Sequence, residues 1–253
     1  MSLVEEIQRL GIKSIAIPPL GCGNGGLNWS EVAPLIDRAL SPLEDVVIYL
    51  FEPSGEPAVD SVKTTAQQPN MTEGRAIIIA LLDRYLQPGF DPYASLLELH
   101  KLAYFAQCAG ANLNLQFEEA SHGPYADKLR HVLNNIEGHF LKGVGDGRTN
   151  PTTPIWILPN AAKEATSYLD EHTALGNELF SRVVELISGF ESSFGMELLA
   201  SVHWVATAKD QRAKNDPAFA IVGVRAWSER KAKLFSDSHI ITAWRRLKEF
   251  GWL

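Results

Sequence analysis

Apolar residues recur along this chain in two different rhythms, and the change from one to the other divides it. Ile15-Ala16-Ile17 is a short continuous apolar run that reads as a buried strand, and Val46-Val47-Ile48-Tyr49-Leu50-Phe51 reads as a second. Between them Trp29 to Leu40 has a helix-like pattern. From Pro53 to Thr72 the periodicity vanishes, and prolines and small polar residues take over, as in an exposed connection between domains. Helical spacing dominates afterwards. Ile78, Leu81, Leu82 and Tyr85 follow a Thr72-Glu73 start signal and precede the stop at Pro88-Gly89. Ser95 to Ala109 is apolar over so much of its circumference that it belongs in a core. Asn112 to Glu119 alternates, with Leu113, Leu115 and Phe117 on one side, and predicts a short strand. A small β-unit is expected between Phe140 and Leu158. Further helices are expected over 161–172, 177–190, 196–208, 228–235 and 238–250.

The expected fold class is therefore α+β: a partial α/β segment over 1–53, a linker over 54–72, and a mainly α domain with a small β-sheet over 73–253. The 253 residues suffice for one large domain or two modest ones. No apolar run approaches the ~20 residues of a membrane span, and no basic region followed by an apolar stretch marks a secretory signal. Cys22 and Cys108 lie far apart and suggest no disulfide framework, so a cytoplasmic location is the default. The net charge of −7 is unevenly spread. Acids dominate to Ala208, after which Arg225, Arg230, Lys231, Lys233, Arg245, Arg246 and Lys248 reverse the balance. That asymmetry fits a partner surface or an ordinary solvated face.

Three groups of residues could carry chemistry. The loop Gly21-Cys22-Gly23-Asn24-Gly25-Gly26 joins the first strand to the helix at Trp29. Strand, glycine loop and helix is the arrangement that points backbone N–H groups and a helix N-terminus at an anion. An ordinary βα turn has the same glycines for geometry alone. His122-Gly123-Pro124-Tyr125 offers an acid or base near neutral pH, or a histidine bracing a turn with Pro124 at the first position of the next helix. Trp204, Trp227, Trp244 and Trp252 among basic residues could stack nucleic-acid bases, or face the core of amphipathic helices. The seven histidines show no metal-ligand spacing; most suit the surface or the core edge, and no metal or cofactor is expected.

Pro18-Pro19-Leu20-Gly21-Cys22-Gly23-Asn24-Gly25-Gly26-Leu27-Asn28-Trp29 resembles the second phosphate-binding loop of macrodomains, and most of all that of the DarG-type antitoxins, which remove ADP-ribose from thymidine bases in DNA. The resemblance implies an ADP-ribose phosphate loop at Gly21 to Gly26 with Trp29. It also implies a first loop with Asn-Ala-Xaa-Asn and Gly-Gly-Gly, and a catalytic lysine near it. The residues ahead of Ile12 are too few for that loop, and Lys13, which opens the strand, is not assigned the role. The expectation is a macrodomain entered part-way, with no catalytic residue present.

Leu99-His100-Lys101-Leu102-Ala103-Tyr104-Phe105-Ala106-Gln107, then Phe117-Glu118-Glu119-Ala120-Ser121-His122-Gly123-Pro124-Tyr125, is similar to Panacea antitoxin domains and to the C-terminal part of DarG. That resemblance implies a toxin-binding domain over 73–253 whose partner is a DNA ADP-ribosyltransferase, with ADP-ribose or ADP-ribosylated DNA as ligands of the full-length protein. Glu118, Glu119, His122, Tyr125 and Asp127 are the candidate toxin contacts, because carboxylates can occupy a groove built for DNA phosphates. The alternatives are an ADP-ribose-hydrolysing enzyme, or a Panacea-like antitoxin for another toxin.

Overall fold

The computed structural model describes residues 3–20, 27–43, 45–52, 68–87, 92–144, 150–172 and 176–253. The chain divides into two compact units, Met1–Lys63 with Phe90–Pro92, and Thr64–Gly89 with Tyr93–Leu253.

In the first unit, helix α1 (Leu3–Leu10) buries Ile7, an element the sequence reading does not include. Strand β1 (Ser14–Ile17), helix α2 (Trp29–Leu40) and strand β2 (Val47–Leu50) follow. The strands pair in parallel, Ser14 opposite Val47 and Ile17 opposite Leu50. Parallel neighbours need a crossover, and α2 is its helical part. Asn28 caps α2 by accepting from the Ser30 N–H at 3.2 Å, satisfying one of the donors a helix start leaves open. Ile7, Ile17, Leu40 and Leu43 form the core of this unit. The glycine loop at Gly21, Cys22, Gly23, Asn24, Gly25 and Gly26 lies outside the described residues.

The second unit is mainly helical with small sheets. Thr72 caps α3 (Glu73–Leu86), which is buried from Ala76 to Leu82. Strand β3 (Ala94–Ser95) runs into α4 (Leu96–Cys108), whose start is a reciprocal capping box between Ser95 and Glu98. All of α4 from Leu96 to Ala106 is buried, so it is the central helix of the core. Next come β4 (Glu118–Ala120), β5 (Gly123–Tyr125), α5 (Asp127–Ile136), β6 (Leu141–Lys142) and β7 (Pro154–Ile157). Strands β4 and β5 form an antiparallel hairpin, and β3, β7 and β6 a three-stranded sheet in that order. Helices α6 (Ala161–His172), α7 (Gly176–Ile187) and α8 (Ser193–Trp204) precede a π-helical turn at Val205–Lys209 and a 3-10 turn at Gln211–Lys214. The chain closes with α9 (Pro217–Trp227), α10 (Glu229–Leu234) and α11 (Asp237–Glu249). Among the described residues no helix is long and apolar enough to cross a membrane.

Local departures from the sequence reading have physical causes. Residues 112–117 are not a strand, since Asn114 adopts φ 50° and the ladder begins only at Glu118. The Gln107 side-chain amide takes the place of a neighbouring strand: it donates to the Leu115 carbonyl at 2.9 Å and accepts from the Leu115 N–H at 2.8 Å. Pro124 does not start a helix; it lies in β5, and α5 begins at Asp127 after an Ala126 cap. Helix α9 is absent from the sequence reading. Its Asp216 cap and Pro217 at the first turn are ordinary start signals, but Gly223 and the β-branched residues around it weaken the helical pattern. Gly223 is required by packing, since a Cβ there would lie 2.4 Å from Val205 Cγ1.

The four C-terminal tryptophans pack on the core. Trp227 donates its indole N–H to the Ala120 carbonyl at 3.1 Å, and Trp244 to Ala213 at 2.6 Å. An amphipathic ring can lie against apolar neighbours while its one polar group finds a backbone acceptor.

Candidate functional site

The His122-Gly123-Pro124-Tyr125 segment lies over a group of buried charges. Strands β4 and β5 pair Glu118 with Tyr125, Glu119 with Pro124 and Ala120 with Gly123, which puts Ser121 and His122 at the hairpin tip. Gly123 is needed there for two reasons. Its φ is +95°, and a Cβ would lie 3.2 Å from Ser201 Oγ and 3.4 Å from Lys101 Cε. Lys101 on α4 donates to the Pro124 carbonyl at 2.8 Å. The hairpin is also held at Ala120 by Trp227, and Lys209 pairs with Glu119 at 2.8 Å.

Beneath the hairpin, the buried acid Glu197 on α8 lies among three bases. Arg230 donates to both of its oxygens, at 2.6 and 2.9 Å. Lys231 reaches Glu197 Oε1 at 2.6 Å and Ser201 Oγ at 2.9 Å. Lys231 and Ser201 are fully buried, and Lys101, Glu197 and His100 are each 2% exposed. Burial alone would raise the Glu197 pKa, but the hydrogen bonds from Arg230 and Lys231 hold it below its usual range. Lys231 is lowered by burial, partly offset by the attraction of Glu197. Lys101 falls to about 7, through burial and then repulsion from Lys231. His100 falls to about 3, again through burial and then the Lys101 charge. His122 is also lowered, by burial first, with Arg230, Lys231 and Lys101 opposing the pull of Glu197.

A cavity of about 300 Å³ opens between the hairpin tip and the start of α4, lined in part by Leu97, His100, Lys101, His122 and Tyr125. The Tyr125 ring stacks on His100 with centroids 4.6 Å apart. Such a mixture of apolar wall and shifted titratable groups is typical of binding sites.

Of the residues singled out in the sequence, Glu118, Glu119, His122 and Tyr125 come together on this one hairpin. Asp127 begins α5, where Arg130 at 3.1 Å and His131 at 3.4 Å share its charge. Trp29 is half-buried at the first position of α2 in the other unit, and its glycine loop is outside the described residues. The sequence reading assigns no role to His100, Lys101, Glu197 or Ser201, and counts Arg230 and Lys231 only within the basic C-terminal surplus. Lys101 stands in the motif helix itself, which is the one local signal that could have drawn attention to it.

No protein-family model matches the chain. Similar proteins do. A Mycobacterium tuberculosis protein named DNA ADP-ribosyl glycohydrolase is 39% identical over 259 residues, covering 98% of this chain and 72% of the relative. A Thermus aquaticus protein of the same name is 40% identical over 249 residues, covering 98% of this chain and 67% of the relative. A Thermosipho africanus fusion of a DNA ADP-ribosyl transferase with a DNA ADP-ribosyl glycohydrolase is 57% identical over 49 residues, 19% of this chain and 13% of the fusion. Identity at that level, across both units and most of the relatives' length, means that this chain belongs to the DNA ADP-ribosyl glycohydrolase family.

Proposed function

We propose that this protein is the antitoxin of a DNA ADP-ribosylation toxin–antitoxin system, and that residues 73–253 neutralise a DNA ADP-ribosyltransferase by binding it directly. One observation carries the reading: the Thermosipho africanus relative joins transferase and glycohydrolase in one polypeptide. Activities that write and erase the same DNA mark are fused where they act as a pair. The outer edge of the β4–β5 hairpin is the proposed contact surface, with the exposed Glu118 and Glu119, the half-buried His122 and Tyr125, and the nearby Asp127. Carboxylates there complement a groove shaped for phosphates and act mainly on association rate and specificity. His122 serves to shape the hairpin tip.

The full chain is expected to co-purify with its transferase and to abolish DNA modification in a gel-based assay. Glu118→Lys with Glu119→Lys slows association about tenfold in stopped-flow mixing, and the wild-type rate falls as salt rises. His122→Ala still inhibits. Undiminished transferase activity in the presence of an excess of this protein would overturn the reading.

A second reading, that the chain itself hydrolyses ADP-ribose from DNA, is favoured by its alignment with glycohydrolases over nearly its whole length. These residues contain no Asn-Ala-Xaa-Asn run and no Gly-Gly-Gly, the pattern expected of the loop that holds the distal ribose. ADP-ribose is therefore expected to bind the 253-residue chain only weakly through Gly21 to Gly26 and Trp29. Calorimetry that gave micromolar affinity, about 8 kcal/mol, would favour the enzyme reading instead.

A further inference from the structure

The cavity beside the hairpin has an unbalanced interior that neither proposed activity uses. Glu197 is the acid of the cluster, and its two oxygens are already engaged by Arg230 and Lys231. Lys101, buried against the cavity, reaches a neutral carbonyl, that of Pro124. Arg230, Lys231 and Lys101 thus face one buried carboxylate, while Glu119, which also acts on Lys231, is already paired with Lys209. Asp127, which also acts on His100 electrostatically, is exposed and shared with Arg130 and His131. The second observation is independent of charge. His100 is 2% exposed, lines the cavity, and has no hydrogen-bond partner for either ring nitrogen among the described residues. Buried polar groups are nearly always paired, so an orphaned imidazole on a cavity wall marks a place where something binds.

We propose that this cavity is a binding site for a compact oxyanion, either a tetrahedral phosphate-like group or a carboxylate, held between the Lys101 ammonium and an N–H of His100. Both donors suit an acceptor-only ligand: a lysine ammonium offers three N–H groups, and a neutral imidazole one. Charge-assisted bonds to an anion are stronger than the present bond to a carbonyl. The apolar walls, Leu96, Leu97 and Pro151, screen the pair from water and strengthen it further. Because Lys101 sheds its proton above about 7, an anion arriving at pH 8 draws that proton back. The cavity shares His122 and Tyr125 with the proposed toxin contact, but the role of Lys101 and His100 does not depend on that reading.

The test is calorimetry on the full chain with sodium sulfate and with sodium acetate, at pH 8 and pH 6, in two buffers of different ionisation enthalpy. Sodium chloride of matched ionic strength is the control. Saturable one-to-one binding of either anion is expected, with proton uptake at pH 8 that is much smaller at pH 6. Sulfate alone would identify a tetrahedral ligand, and acetate alone a carboxylate. Lys101→Met and His100→Phe should each weaken binding at least tenfold. If neither variant folds, proton uptake by the wild-type protein decides. Absence of saturable binding by both anions overturns the proposal, as does binding without proton uptake at pH 8 or binding that both folded variants retain.

Discussion

Replacing Glu197 with alanine is expected to lower the stability of the helical unit by about 3–5 kcal/mol, the usual cost of removing one partner of a buried ion pair. The size follows from what stays behind. Lys231 is fully buried and keeps the Ser201 hydroxyl as its hydrogen-bond partner, with the Trp227 and Phe235 rings beside it, and Lys101 loses the charge that offsets its burial. Arg230 is about half exposed and can turn to water, so it contributes little to the loss. The double variant Glu197→Leu with Lys231→Met should recover much of the stability, because apolar groups of similar volume replace a buried pair at little cost. Urea denaturation of the three proteins reads this directly. A single variant within about 1 kcal/mol of wild type would mean that water reaches the cluster and screens it. The hairpin should loosen with the loss, since Arg230 and Lys101 tie its tip to the same cluster.

The second large effect is acid lability. His100 and His203 are buried as neutral rings, with pKa values lowered from 6.5 to about 3 and about 4. For His203 burial is the main cause, opposed by a hydrogen bond to the Trp252 backbone. Tyr104 holds the His203 ring, its hydroxyl 2.7 Å from Nδ1. Burial also raises the Tyr104 phenol well above its usual range, so the hydroxyl keeps its proton. Below 6.5 the unfolded chain takes up protons that the folded protein refuses, so stability falls with pH through that window. The contribution is complete above about 6.5 and is lost progressively toward pH 4 and below. At about 1.4 kcal/mol per tenfold change in proton affinity, the two rings together account for on the order of 5 kcal/mol or more, comparable to the whole stability of many domains. Glu197 adds a smaller loss further down, its contribution complete above about 4.5 and fading as pH drops through its lowered pKa.

Denaturation profiles between pH 7 and 4 test this. His100→Phe keeps a flat ring against Tyr125, and His203→Gln keeps an acceptor for Tyr104; each should flatten the profile over that range. A wild-type protein equally stable at pH 7 and pH 4 would count against neutral buried histidines. Lys101 acts in the same direction at higher pH. Its pKa is lowered from 10.5 to about 7, so stability should keep rising across that alkaline window until the unfolded chain also loses the proton.

The helices were legible in the chain because their signals are local. Thr72 before α3, the Ser95–Glu98 box before α4, and the apolar spacing of α11 are read from residues within a few positions of one another. The mainly helical character and the small sheets follow from such signals, as do the two strands flanking α2, whose parallel pairing the structure adds. Period alone misled where a side chain replaced a strand. Leu113, Leu115 and Phe117 alternate, yet Gln107 supplies the hydrogen bonds that a neighbouring strand would have supplied.

The site was legible only in part. His122 to Tyr125 was singled out as a motif, but its placement over Lys101, Glu197, Ser201 and Lys231 was not. Those four residues come from α4, α8 and α10, and nothing in the letters around each tells whether its charge meets water or another charge. A lysine in an amphipathic helix ordinarily reads as solvated surface. Lys231 is fully buried because Glu197, 34 positions away, is presented to it by another helix. The sequence by itself determined the elements, since helix and strand propensity are set by near neighbours. The tertiary structure alone decided which charges were removed from water, since desolvation depends on every element packed around a group, however distant in the chain.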